Sequence, residues 1–169
     1  MVGRRGVGVV VALLVSATLV ACGGDSSESP SAASDSSTAE AEGAFPAVIE
    51  HKFGTTTVPE EPTRVVVVGL TEQDVLLELG VAPIATTEWY GEQPHAVWPW
   101  ATELLGDAEP EVLDASDGLQ FEKIATLEPD LIVGTNAGLT EKDYELLSGI
   151  APTVASVEGS TQYFSSWQD

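Results

Sequence analysis

Four consecutive valines, Val65–Val68, stand between Arg64 and Gly69. A strand that is apolar at every position has no face to offer water and has to be covered on both sides. Parallel sheets with helices packed on each face meet that condition. Asp130-Leu131-Ile132-Val133-Gly134 reads as a second buried strand, and Val81–Thr87 leads into another. Between the first and the last of these in chain order, Thr71-Glu72-Gln73-Asp74 opens a helix. Thr71 is expected to cap it while Asp74 reaches back, a capping-box variant. Val75, Leu76 and Leu79 are expected to form its apolar stripe, and Gly80 to end it. Strand, helix and strand within roughly 25 residues make a βαβ unit.

The remaining elements follow the same alternation. Val48–Phe53 and Thr55–Val58, hinged at Gly54, predict an opening β-hairpin that Pro59 and Pro62 terminate. A helix is expected near Ala101–Leu105, ending at Gly106. Another spans Leu119–Leu127, with Phe121, Ile124 and Ala125 on one face and Glu122 and Lys123 pointing away. Thr140–Asp143 repeats the capping pattern before a helix through Leu147 that Gly149 closes, and Pro152–Ala155 is a last short strand. The predicted fold class is α/β, an open, mostly parallel sheet flanked by helices. Such sheets bind ligands outside the carboxyl ends of their strands. Here those ends are Gly69-Leu70-Thr71, Thr87-Glu88-Trp89-Tyr90 and Gly134-Thr135-Asn136-Ala137.

The amino-terminal region is of a different kind. Arg4 and Arg5 precede an apolar run, Val7–Val20, that ends in Leu19-Val20-Ala21-Cys22. The run is about 14 residues, roughly 21 Å as a helix and too short for a ~30 Å hydrocarbon core, so it reads as an export signal. Its end resembles the lipobox of bacterial lipoproteins, in which cleavage falls before a diacylglycerol-bearing cysteine. On that reading residues 1–21 are a signal peptide and Cys22 is the lipidation site, an anchor rather than a span. Gly23–Ala44 carries no large apolar side chain and reads as a flexible Ser/Gly/acidic tether over residues 22–44. From Cys22 onward four basic residues face 27 acidic ones, a net charge of −23. A surface so acidic repels phosphate backbones and anionic lipid, which disfavours nucleic acid as a partner.

Residues 45–169 are left to form one modest core. Val68-Gly69-Leu70-Thr71-Glu72 lacks the spaced glycines of a dinucleotide fingerprint, and no Gly-x-Ser-x-Gly elbow occurs. His51 and His95 are far apart and belong to no cluster with metal-ligand spacing. With no nucleophile–base pair and no metal cluster in the pattern, a binding module is favoured over an enzyme. Trp89, Tyr90, Trp98 and Trp100 gather near one strand end, where aromatic walls suit a bulky flat or chelated molecule. Trp89 and Tyr90 are the stronger ligand candidates. Trp98 and Trp100 read equally well as a local core, with Trp98 retained as a candidate contact. Glu122, on periodicity alone, is an ordinary solvated carboxylate.

Arg64–Gly69 preceded by Pro62, together with Leu119-Gln120-Phe121-Glu122-Lys123-Ile124-Ala125-Thr126-Leu127-Glu128-Pro129-Asp130-Leu131-Ile132, resembles the iron-siderophore ABC transporter substrate-binding lipoproteins. These are related to cobalamin- and haem-binding proteins. The resemblance continues through Gly138-Leu139-Thr140, Tyr144 and Ile150–Val154. It implies a fold of two α/β lobes joined by a long helix with ligand between them. On that resemblance residues 45–169 are expected to form the N-terminal lobe, with the C-terminal lobe absent from this chain. It further implies ligand contacts at Trp89 and Tyr90, at Ser116-Asp117-Gly118, and at Thr135 and Asn136, with Glu122 docking on a permease arginine. The implied protein is a monomer on the extracytoplasmic face of the cell membrane. It hands a ferric siderophore to an ABC permease with its ATPase and carries no cofactor of its own. The shortage of Arg and Lys argues for a neutral or cationic ferric hydroxamate over an anionic catecholate. Cobalamin or haem capture, and a surface lipoprotein without a small ligand, are the alternatives.

Overall fold

The computed structural model describes residues 44–161 and residue 163. The signal segment, Cys22 and the tether through residue 43 lie outside the described residues, as do residues 164–169. Within the described part the elements are β1 (Ala47–His51), β2 (Gly54–Val58), β3 (Val65–Val67), α1 (Glu72–Glu78), β4 (Ala85–Thr87), β5 (Glu111–Leu113), α2 (Phe121–Thr126), β6 (Leu131–Gly134), α3 (Glu141–Ser148) and β7 (Thr153–Ala155). Single 3-10 turns occupy Pro94–Ala96 and Thr102–Leu105. The second of these stands where a helix near Ala101–Leu105 is expected, and Gly106 ends it at φ +57.

Five strands form one sheet in the order β5-β4-β3-β6-β7, with every pairing parallel. The chain steps outward from β3 through β4 to β5 and then returns to the other side of β3 for β6 and β7. The loops leaving β3 and β6 therefore part company, which makes a topological switch point beside the central strand. The valine run behaves as its composition demands. Val65 packs with Val58, Leu131 and Val154 on one face, while Val66 and Val68 pack with Ala85, Ile124, Ile132 and Leu147 on the other. Leu131 and Ile132 divide between the faces in the same way, as do Val154 and Ala155.

The hairpin covers the first face. β1 and β2 pair antiparallel with His51 opposite Gly54, so the strand ends at His51 and Lys52-Phe53 form the turn. The hairpin is tied to the sheet by Thr56, whose Oγ1 donates to the Thr153 carbonyl at 2.6 Å, and by the Lys52 amide, which donates to the Ser156 carbonyl. At the amino end of the sheet Asp130 clamps the chain entering β3. Its carboxylate accepts from the Thr63 amide and hydroxyl and from the Arg64 amide at 2.7–2.9 Å.

Three helix readings need correction. α1 does not bury Val75 and Leu79, which are 59% and 73% exposed; it buries Leu77, Gln73 and Glu72. The helix is turned this way because Glu72 is captured by backbone amides, a polar anchor that apolar periodicity cannot register. For the same reason the Thr71–Asp74 capping box is absent: Thr71 makes no side-chain cap, and Asp74 instead accepts from Trp100. In α2 Ile124 is fully buried, but Ala125 is exposed. α1 ends at Gly80 in a Schellman motif. Gly80 N–H donates to the Leu77 carbonyl and Val81 N–H to the Leu76 carbonyl, with Gly80 at φ +81. The capping box of α3 is present in full: Thr140 Oγ1 accepts from the Asp143 amide while the Asp143 carboxylate accepts from the Thr140 amide.

Candidate functional site

Because all five strands run the same way, the carboxyl ends of β3 to β6 open on one edge of the sheet. A crevice of about 680 Å³ lies there. Its wall is apolar at Val68 and Leu70 after β3, Leu119 before α2 and Ala137 after β6. β4 sends Thr87, Glu88 and Trp89 to it, the β5 exit adds Asp114, Ala115 and Ser116, and α3 contributes Thr140 and Asp143. The volume lies within the range of small-molecule sites.

Of the residues singled out in the sequence, Trp89, Ser116 and Gly118 line this crevice. Tyr90, Trp98 and Asp117 do not, although the two aromatics are joined to it. Trp89 meets Tyr90 edge-on at 4.8 Å, Tyr90 meets Trp98 at 5.0 Å, and Trp98 stacks on Trp100 at 5.1 Å with the rings 4° from parallel. Trp100 Nε1 then donates to Asp74 Oδ2 on α1 at 2.9 Å. The aromatic row thus runs from the crevice to α1, with Trp89 as its crevice member.

The segment carrying this row is held in an uncommon conformation. Glu92, His95 and Ala96 have φ of +48, +57 and +51, and conformations of this kind cost of order 1 kcal/mol or more each. Three side chains hold the segment there. Thr86 Oγ1 donates to the His95 carbonyl at 2.6 Å, Gln73 Nε2 donates to the Ala96 carbonyl at 3.3 Å, and His95 Nδ1 donates to the Pro110 carbonyl at 3.0 Å. β4, α1 and the approach to β5 thereby fix the loop from three sides and pre-organise its aromatics.

Thr135 and Asn136 face elsewhere. They line a second cavity of about 590 Å³ beside α1, β6, β7 and the hairpin. The Asn136 amide donates to Glu72 Oε1 at 2.7 Å, Thr135 Oγ1 donates to the same oxygen at 3.2 Å, and the Thr71 amide donates to Oε2 at 3.0 Å. Glu72, only 5% exposed, thus ties the loop after β3 to the loop after β6 across the switch point. Gly69 makes room for it: a Cβ there would lie 1.9 Å from Glu72 Oε1.

Glu122 stands exposed in the first turn of α2, with no ion-pair partner among the described residues. Its neighbour Lys123 is turned back on β5, donating to the Val112 carbonyl at 2.9 Å and pairing with Glu111 at 3.0 Å. That contact fixes α2 on the sheet. Sequence reasoning missed Glu88, Asp114, Thr140 and Asp143 as crevice residues. Glu88 was within reach as part of the β4 exit. Asp114 was not, because β5 is a three-residue edge strand, Glu-Val-Leu, with too little pattern to announce itself.

The sequence profile of the periplasmic binding protein family matches residues 65–169. Among curated relatives, the probable siderophore-binding lipoprotein YfiY of Bacillus subtilis is 34% identical over 85% of this chain and 41% of its own length. The iron(3+)-hydroxamate-binding protein FhuD of the same organism is 36% identical over 85% of this chain and 40% of its own. A periplasmic solute binding protein from Mycobacterium smegmatis has a crystal structure that superposes with a TM-score of 0.69 at 54% identity, over 72% of this chain and 42% of that one. The chain therefore spans about two fifths of the length of these proteins. The matched sequence, the parallel sheet and the crevice at its strand ends agree, and the chain belongs to the periplasmic binding protein family, in the superfamily of the siderophore-binding proteins.

Proposed function

We propose that this chain captures a ferric siderophore, a hydroxamate in particular, as part of the binding component of an ABC importer. The observation that carries this reading is the crevice at the ends of β3 to β6, with Trp89 on its wall and a braced aromatic row behind it. A ferric siderophore arrives with its iron already coordinated. What the protein must supply is an apolar and aromatic surface with a few polar contacts, and that is the chemistry of Val68, Leu70, Leu119, Trp89 and Ser116. The names of the relatives YfiY and FhuD support the same reading.

Two further parts belong to the proposal. Glu122 serves as a docking charge for a permease arginine, since an exposed carboxylate on a helix fixed by its neighbour can set register with a partner. Cys22 carries the lipid that holds the protein on the extracytoplasmic face of the membrane.

Tryptophan fluorescence of the full chain, with Cys22 replaced by Ser, tests the ligand. It is titrated with ferric hydroxamate, ferric catecholate, cobalamin and haem, each beside its metal-free form where one exists. Saturable quenching by ferric hydroxamate, and not by its iron-free form, is the expected result. Saturation by cobalamin or haem alone, or by none of the four, would overturn the reading. In cells, Glu122→Arg is expected to abolish ferric siderophore uptake while the purified variant binds as before; uptake at the unmodified rate would remove the docking role.

A further inference from the structure

We propose that the crevice selects a positively charged ferric chelate, such as a hydroxamate bearing a protonated amine, over a neutral one of the same shape. This rests on the siderophore-capture reading and narrows it. The crevice stands as a site on its walls alone; the charges around it decide what it accepts.

Three carboxylates line it: Glu88 after β4, Asp114 after β5 and Asp143 on α3. Each is held by hydrogen bonds that leave oxygen lone pairs over. Glu88 Oε1 accepts from the Glu92 amide at 3.2 Å, and Asp114 Oδ1 accepts from the Ser116 amide at 2.9 Å. Asp143 Oδ2 accepts from the amide and hydroxyl of Thr140 at 3.0 and 2.7 Å. The bonds from Ser116 hold the Asp114 carboxyl below its ordinary range. None of the three is paired with a cation among the described residues, where the one ion pair is Lys123–Glu111.

The four basic side chains of the described residues are all committed or placed elsewhere. Arg64 donates to the Leu127 and Glu128 carbonyls at the opposite end of the sheet. Lys123, on α2, is engaged by Val112 and Glu111 of β5, and Lys142, exposed on α3, is not among the lining residues. Lys52 donates to the Leu139 carbonyl at 2.8 Å with its ammonium 4.7 Å above the Phe53 ring. The amino end of α3 could have favoured an anion through its amides. Its capping box fills that position with the Asp143 carboxylate, so the helix end presents negative charge to the crevice. In a cleft bounded by apolar walls, uncompensated charge of one sign focuses on an entering ligand.

The test uses a matched pair of ligands on the full chain: ferrioxamine B, whose free amine is protonated, and its N-acetylated form, which is neutral and otherwise the same. Quenching titrations are run at low and at high salt. The amine form is expected to bind about tenfold tighter at low salt, with the ratio shrinking as salt screens it. Glu88→Gln with Asp114→Asn should bring the ratio close to one. Glu60→Gln with Glu61→Gln, which removes the same charge before β3 at the opposite end of the sheet, should leave it unchanged. Equal binding of the two forms, or a ratio lowered as much by the distant pair, overturns the charge selection and leaves hydroxamate capture standing. Tighter binding of a ferric tris-catecholate than of either form does the same and removes hydroxamate as the preferred class. Failure of every ferric siderophore to bind overturns both.

Discussion

His51 is neutral in the fold because of where its two nitrogens point. Nδ1 accepts from the Phe53 amide, so Nε2 carries the hydrogen and donates to Thr56 Oγ1 at 2.9 Å. Tyr144 of α3 closes the cluster, its hydroxyl 3.3 Å from Thr56 Oγ1 and its ring 5.0 Å from the imidazole. Burial holds the imidazole below its usual 6.5. The unfolded chain therefore takes up a proton at a higher pH than the folded one. Stability is present above about 6.5 and is lost as pH falls from there toward the lowered folded value. Asp130 titrates in a separate window. Burial pushes its carboxyl up, but the bonds from Thr63 and Arg64 outweigh this and leave it below 3.8, so its contribution is lost only in stronger acid. Urea unfolding at about pH 7.5 and pH 5 should show wild type losing stability over an interval in which His51→Gln stays nearly flat. Parallel loss in both proteins would show that His51 does not govern this interval.

The elements differ in how plainly the sequence announced them, and the reason is physical. β3 and β6 were legible because a strand buried on both faces has to be apolar throughout, and Val65–Val68 and Leu131–Val133 are. α3 was legible because Thr140 and Asp143 stand at capping-box spacing. α1 was misread in its buried face, since the side chain that orients it is a carboxylate satisfied by amides from two loops. Leu77→Ala should cost about 2–5 kcal/mol in denaturant unfolding, because it empties a site that is 2% exposed, whereas Leu79→Ala should change stability by no more than about 0.5 kcal/mol. A large loss at Leu79 with little at Leu77 would restore the stripe expected from periodicity. β5 escaped notice because an edge strand of three residues carries almost no pattern, and with it escaped Asp114.

At the scale of the molecule, the strand order decides what the site can be. The crevice edge followed from alternating strands and helices, and of its residues Trp89 was reached as a strand exit, whereas Ser116 and Gly118 were reached only through the family resemblance. Thr135 and Asn136 sit at an equivalent exit, yet Glu72 draws them into the tie across the switch point, an interaction between residues over 60 positions apart that no local pattern contains. Among the described residues no helix is long and apolar enough to cross a membrane. The proposed function puts ligand in the crevice at the ends of β3 to β6 and not in the second cavity beside α1. The most direct measurement is an amide NMR titration of the isotope-labelled full chain with a gallium(III) hydroxamate, a diamagnetic stand-in for the ferric complex. Saturable shifts confined to amides around Glu88–Trp89, Asp114–Leu119 and Ala137–Thr140 are the predicted result. Shifts centred instead on Ile49, Val75, Leu76 and Val157 would move the site to the second cavity and contradict the account.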